Sequence, residues 1–287
     1  VNPVLAEMLD LLDVEAVETD VFLGAPYTAS EHVFGGQVMA QALRAAGRTV
    51  TGDRQVHSLH GYFLRPGDHR RPVVLEVERT RDGRSFSTRR VVAVQHGRAI
   101  FEMGSSWHDR EPGLEHAAPL PAVTPPEELP LERDVYAKIA RKHPRVERFA
   151  FRYEAIDSAQ VEGRIMVDPK PTEPYKHTWV RTTDRLPDDP LLHACMLAYV
   201  SDMDFMSTSL LPHGGGVSRE RRGASLDHAL WFHRPFRVDE WLLFGKDSPT
   251  AGHGRGFVRG TFHDREGRLV VSATQECMIR EARTAPA

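Results

Sequence analysis

The sequence predicts an α+β chain in which one unit, a helix wrapped by an antiparallel sheet, occurs twice in tandem. Three observations carry that expectation. Two stretches with apolar residues at helical spacing, Val38 to Ala46 and Leu191 to Leu210, each precede a series of runs rich in β-branched and aromatic residues and separated by Gly or Asp-Gly. The two series repeat one another: Ser58-Leu59, Tyr62-Phe63 and Arg65-Pro66 are answered by Ser225-Leu226, Trp231-Phe232 and Arg234-Pro235. Gly83-Arg84-Ser85-Phe86 is likewise answered by Gly254-Arg255-Gly256-Phe257, and Gly97-Arg98 by Gly267-Arg268. Between the copies lies a proline-rich segment from Asp109 to Pro130, where missing N–H groups deny the backbone a ladder.

Taken in order, the chain opens on an acidic amphipathic stretch with Val4, Leu5, Met8, Leu11 and Leu12 on one side, which reads as a short helix rather than a signal peptide. Val21 to Leu23 forms a short strand, and the helix from Val38 carries small residues until Gly47 ends it, so a sheet can approach closely. The runs 56–68, 72–83, 84–97 and 98–109 make an antiparallel meander. A charged helix is expected within Arg133 to Arg148, a strand over Phe149 to Asp157, a proline-rich loop from Pro169 to Pro174, a strand over His177 to Thr182, and then the second core helix. That helix starts on Asp188, Asp189 and Pro190 and stops before Pro212. The resulting division is 1–110, 111–148 as linker and 149–287. A helix wrapped by a strongly curved antiparallel sheet is the hotdog arrangement, and two side by side make a double hotdog.

Composition excludes several classes. The chain has 287 residues, 40% hydrophobic and 27% charged, with a net charge of -3, so there is no basic footprint for nucleic acid. No apolar run is long enough for a membrane span. Cys195 and Cys277 lie in separate apolar stretches with no C-x-x-C partner, which gives no disulfide or zinc framework and suggests a reducing, cytoplasmic setting. Exposed edges of each sheet favour pairing of the halves and a homo-oligomer.

Three polar residues stand where apolar ones are expected. Asp202 shares a helical face with Cys195, Ala198, Tyr199, Phe205 and Met206, and a carboxylate in such a stripe is costly unless paired or hydrogen-bonded. Gln275 alternates with Val271, Ala273, Cys277 and Ile279 onto the inner face of the last strand, and Ser225 opens the strand 224–233. Each has a structural explanation of its own: a capping carboxylate, a buried amide, a strand-end hydroxyl. Together they have a joint use, the carboxylate taking a proton from a water that the hydroxyl and amide orient. The first half has no equivalent set: the Asp202 counterpart falls in the apolar stretch Val38 to Leu43, and that of Gln275 is Ser105.

Other motifs fail on inspection. Gly223-Ala224-Ser225-Leu226-Asp227 lacks the last glycine of a nucleophile elbow. Gly252-His253-Gly254-Arg255-Gly256 sits between strands with no helix after it, as a hairpin does and a phosphate loop does not. His57 and His60, and His228 and His233, fall on opposite strand faces, so neither pair offers a metal site. His57 belongs to the first half and reads as structural or as a neighbour of the site.

The blocks VFGGQVMAQAL (33–43), VHSLHGYFLRPGD (56–68), RDGRSFSTRRV (81–91), LAYVSDMDF (197–205) and LDHALWFHRPF (226–236), with Gln275-Glu276 near the end, resemble bacterial acyl-CoA thioesterase II, a double-hotdog family, over nearly the whole chain. The resemblance implies hydrolysis of fatty acyl-CoA to free acid and CoA, with no cofactor or metal, by a water held by an Asp, a Thr and a Gln. These map onto Asp202, Ser225 and Gln275, with serine in place of the family's threonine. An acyl chain would lie in an apolar tunnel between helix and sheet, and a backbone oxyanion donor is expected near a helix N-terminus. The alternative within the same fold is a non-catalytic acyl-CoA sensor. A hotdog hydratase would need an Asp and a His acting together, and Asp227-His228, adjacent on a strand, point to opposite faces.

Overall fold

Two curved half-sheets join edge to edge around a pair of antiparallel helices. The computed structural model describes residues 2–26, 33–140, 154–163, 170–214 and 221–281. In the first half, α1 (Pro3–Leu12), β1 (Val14–Glu18) and β2 (Val21–Gly24) precede the core helix α2 (Gly35–Gly47), and β3 (Gln55–Phe63), β4 (Val73–Asp82), β5 (Phe86–Gln95) and β6 (Arg98–His108) follow it. α3 (Glu132–Ala140), β7 (Ile156–Gln160) and β8 (Tyr175–Thr182) lead to the second core helix, α4 (Pro190–Ser201). Then come β9 (Arg221–Ser225), β10 (Asp227–Phe232), β11 (Leu242–Gly252), β12 (Arg255–His263) and β13 (Leu269–Glu281). Of the strand expected over 149–157, residues 149–153 lie outside the described residues, as does 141–148 of the charged helix.

The strands form one sheet in the order β1-β2-β4-β5-β6-β3-β10-β13-β12-β11-β8-β7, with β9 beside β13. The second half of that list repeats the first in reverse, as a pseudo-twofold axis through the β3–β10 seam requires. Leu59 faces Leu230 and His60 faces Ala229 across the seam. α2 touches all six strands of its half, β1 to β6, which is the wrapped arrangement of a hotdog. Its buried face is almost all small or aliphatic, including Val38, Met39, Ala42, Leu43, Ala45 and Ala46, and one continuous core joins it to Ala194 through Val200 on α4. Removing those side chains from water contributes roughly 25 cal/mol per Å² of apolar surface. Among the described residues no helix is long and apolar enough to cross a membrane.

α2 and α4 run antiparallel at glycine contacts. A Cβ on Gly36 would lie 2.6 Å from the backbone oxygen of Tyr199, and one on Gly47 would lie 2.4 Å from Leu191. The N-terminus of α2 is thereby placed against the C-terminus of α4.

The expected helix from Leu191 to Leu210 is shorter than the apolar pattern suggested. α4 ends at Ser201, and after a turn the chain forms a 3₁₀ helix over Met206–His213. The physical reason lies in three short polar side chains. Ser201 Oγ donates back to Ala198 O at 2.9 Å, Asp202 turns away to a donor on α2, and Asp204 adopts φ +57°, a left-handed conformation that aspartate tolerates. Asp202 is therefore a C-cap and not a mid-helix residue, and Phe205 and Met206 do not continue its stripe.

Three further expectations change. Ser225 closes β9 and does not open a longer strand. The register against β13 slips by one residue after it, from Ser225–Cys277 to Ala229–Thr274, and Leu226 N donates to Glu276 O between them. β3 has the same slip against β6, between Val56–Trp107 and Ser58–Ser106. Aligning the slips makes Val56 the counterpart of Ser225 and Leu59 that of His228, so the Ser58-Leu59 match to Ser225-Leu226 was two residues out of register. Similarly, the helix end that answers Asp202 is Arg48, the C-cap of α2, and not the apolar stretch 38–43.

Candidate active site

Asp202, Ser225 and Gln275 converge at the seam between the halves. Asp202 is carried by the end of α4 and leaves 6% of its side chain exposed. Its Oδ2 accepts from Gly36 N at 2.8 Å and its Oδ1 from Gln275 Nε2 at 2.7 Å, with Ser225 Oγ at 3.4 Å from the same Oδ1. Gln275 Nε2 also lies 3.0 Å from Ser225 Oγ. The carboxylate thus caps the first turn of α2, whose N-cap Phe34 offers no side-chain bond, and gains from the positive end of that helix. The centre is therefore not confined to residues 149–287: a backbone donor from the first half completes it.

Gly36 fits here because any side chain would strike Tyr199 O. Gly36→Ala is expected to push α2 off α4, costing about 1–3 kcal/mol of stability and breaking the bond to Asp202. The denaturant midpoint and thioester hydrolysis measured on one preparation check this; an unchanged midpoint removes the argument.

Sequence reasoning set aside His228, and the structure brings it in. The His228 ring is fully buried on β10, with Nε2 3.0 Å from Ser201 Oγ and Nδ1 3.1 Å from Gln275 Nε2. Ser201 spends its proton on Ala198 O, so His228 Nε2 donates to the hydroxyl and Nδ1 is left as acceptor. That tautomer fixes the Gln275 amide with its nitrogen toward both His228 and Asp202. Burial pushes His228 down to about 3, so the ring is neutral. Inward alternation with Leu230 is the signal that marks it, while the neighbouring Asp227 points elsewhere and accepts from Glu276 N.

Beneath the Asp202 turn lies a buried ion cluster. Lys176 on β8 contacts the Asp204 carboxylate and the Ser207 hydroxyl. Lys246 on β11 donates to Thr178 Oγ1 at 3.1 Å and sits 4.5 Å over the Phe244 ring, and Glu132 of α3 accepts from Ser158 and Gln160. Burial alone would raise Asp204, but Lys176 and Lys246 outweigh it and hold the carboxyl below its ordinary value. Burial, and then the Lys176 ammonium, push Lys246 down to about 7 from 10.5, against Asp204, Glu132 and Glu162.

Between those two values the unfolded chain holds a proton that the folded one releases, so this group makes stability rise with pH above about 7. Lys246→Met is expected to flatten that rise, and thermal unfolding followed from about pH 7 to 9 reads it. A slope undiminished in the variant would assign the effect elsewhere.

Among the described residues no group of three or more His, Cys, Asp or Glu side chains is placed to hold a metal ion. His57 bonds Ser106 Oγ at 2.8 Å, in the first half and apart from Asp202.

Comparison with known proteins shows the family and the fold. Residues 150–278 match the family described as acyl-CoA thioesterase, and residues 24–107 match the acyl-CoA thioesterase N-terminal domain. The chain is 41% identical over 283 residues to acyl-coenzyme A thioesterase 8 of Mus musculus, covering 94% of this chain and 88% of that one. It is 35% identical over 286 residues to acyl-CoA thioesterase 2 of Haemophilus influenzae, covering 97% and 99%. Among solved structures, an acyl-CoA thioesterase II from Mycobacterium marinum superposes with a TM-score of 0.80 at 41% identity, over 95% of this chain and 98% of that one. A hot dog fold protein from Alicyclobacillus acidocaldarius, at 19% identity and a TM-score of 0.76 over 96% and 98% of the two chains, shares the fold.

Proposed function

The chain belongs to the acyl-CoA thioesterase II family and is a thioester hydrolase, and on that premise we propose that Asp202 drives direct attack of water on a fatty acyl-CoA. The observation that carries the proposal is a nearly buried carboxylate whose two oxygens are held by donors from both halves of the molecule. Asp202 takes a proton as the water oxygen bonds to the thioester carbon. Collapse of the tetrahedral adduct breaks the C–S bond, and the proton passes from Asp202 to the leaving thiolate, giving free acid and CoA. Ser225 Oγ and Gln275 hold the water. Gln275 Oε1, buried without a protein partner, accepts one of its hydrogens. The positive end of α2 favours the negative charge of the adduct. Gly36 N–H is committed to Asp202, so another group donates to the oxyanion.

The test is thiol release from short, medium and long acyl-CoA, with intact mass recorded during a single turnover. Thiol release without an acyl-protein adduct is the expected result. An adduct on Ser225 would overturn direct attack, and binding of acyl-CoA with no thiol release would leave a sensor of the same fold.

His228 is a positioning residue in this reading. His228→Leu installs what the first half carries at Leu59 and frees the Gln275 amide to rotate. The expected result is a fall in kcat of about 10- to 100-fold with KM little changed, since the lost interaction orients the water and not the substrate. An equal change in KM, with kcat intact, would argue against it.

A further inference from the structure

A cleft of about 880 Å³ opens at the other end of the core helices, between Gly47 of α2, Asp189 to Ala194 of α4, Val56 and His57 of β3 and Phe232 of β10. The pseudo-twofold axis relates it to the Asp202 centre. Exchange of the halves carries the contact of Gly36 with the end of α4 onto that of Leu191 with Gly47 at the end of α2.

The hydrolytic groups have gone from this twin. Val56 replaces Ser225, Leu59 replaces His228 and Ser105 replaces Gln275, by the shared register slip. Arg48 replaces Asp202, and it turns away to Asp13 and Val14 O. Ser105 is occupied as the acceptor for Trp107 Nε1 at 3.0 Å.

The mouth has been kept. Phe63, which meets Gly35 beside Asp202, and Arg65-Pro66 after it are answered by Phe232 and Arg234-Pro235, which line the cleft, and each arginine donates to the same carbonyl of its half, Ala99 O at 2.7 Å and Leu269 O at 3.2 Å. Arg110, in the cleft, answers Arg280 on β13. Loss of the reacting groups with retention of cations and walls distinguishes a site that binds from one that has merely decayed.

We propose that this cleft is a second acyl-CoA site, which holds the thioester without hydrolysing it. The inference rests on the thioesterase reading, because the ligand class is taken from the Asp202 centre. Arg110 and Arg234 meet the CoA phosphates, and the apolar arm lies along Val50, Val56, Trp107, Leu191 and Phe236. Of the carboxylates that line the cleft none is buried in the path of an anion: the side chains of Glu111, Glu115 and Asp188 are 61%, 77% and 85% exposed, Asp53 is exposed, and Asp189, 39% exposed, is paired with Arg44. The carboxylate at this helix end, Asp189, is held by Leu191 N and by Arg44, and Val56 and Ser105 stand where Ser225 and Gln275 would orient a water.

Titration of the full chain with a non-hydrolysable thioether analogue of an acyl-CoA tests this by calorimetric stoichiometry. Two molecules per chain are expected, falling to one in Arg110→Glu/Arg234→Glu, with circular dichroism confirming that the variant is folded. One molecule per chain in the native protein overturns the second site and leaves the thioesterase reading intact. None overturns both. Two molecules in native and variant alike place the second elsewhere and overturn this assignment.

Discussion

Asp202→Asn is expected to lower kcat/KM for acyl-CoA hydrolysis by about 10³-fold or more, some 4 kcal/mol of transition-state stabilisation. Asparagine is nearly isosteric, so the core is preserved, but its amide cannot take a proton from water. It also meets the wrong partners. Both carboxylate oxygens face donors, Gly36 N–H and the Gln275 amide nitrogen. Whichever way the asparagine turns, its own NH₂ group confronts one of them. Gln275 relieves the clash by rotating, at the expense of its bond to His228 Nδ1. The variant should therefore lose activity and keep a cooperative unfolding transition, with a modest decrease in Tm. Residual activity within tenfold of native would remove Asp202 from the role of base, whatever the geometry.

The parts of this centre that sequence could reveal were those breaking a pattern. Gln275 interrupts an inward alternation and Asp202 interrupts an apolar stripe, so both stood out with no structure in hand. The stripe overstates the helix, because apolar content continues past Ser201 while the helical backbone does not. Helix termination depended on Ser201 bonding back to Ala198 and on Asp204 turning left-handed, local choices that compete closely with helix. Gly36 contributes a backbone N–H, which has no residue-type signature beyond permissive glycine. His228 was visible as an inward residue next to Leu230, but its role depends on the proton inventory of Ser201 and Gln275, which needs distances. The repeat was legible from its punctuation and aromatic pairs. Its register was not, since the one-residue slip before β10 shifts the alignment and only strand pairing reveals it.

Lys176→Met is expected to destabilise the protein by about 3–5 kcal/mol, the cost typical of leaving one partner of a buried ion pair uncompensated. The Lys176 side chain is 5% exposed and that of Asp204 19%, so water replaces little of the lost interaction. The Asp204 carboxylate keeps the Ser207 hydroxyl as a donor but loses its cation, at a residue already in the left-handed region two positions after Asp202. The turn that aims the Asp202 carboxylate is thus tied to a pair outside the cluster of Asp202, Ser225 and Gln275. Lys246 is the remaining cation of the cluster and offsets part of the loss by becoming protonated more readily. The variant should accordingly lose kcat more than KM, and should lose less stability at pH 6 than at pH 8. Lys176→Met/Asp204→Asn removes both charges and is expected to recover much of the single variant's deficit in a denaturant titration. A double variant no more stable than Lys176→Met would show that lost packing, and not the stranded charge, sets the cost.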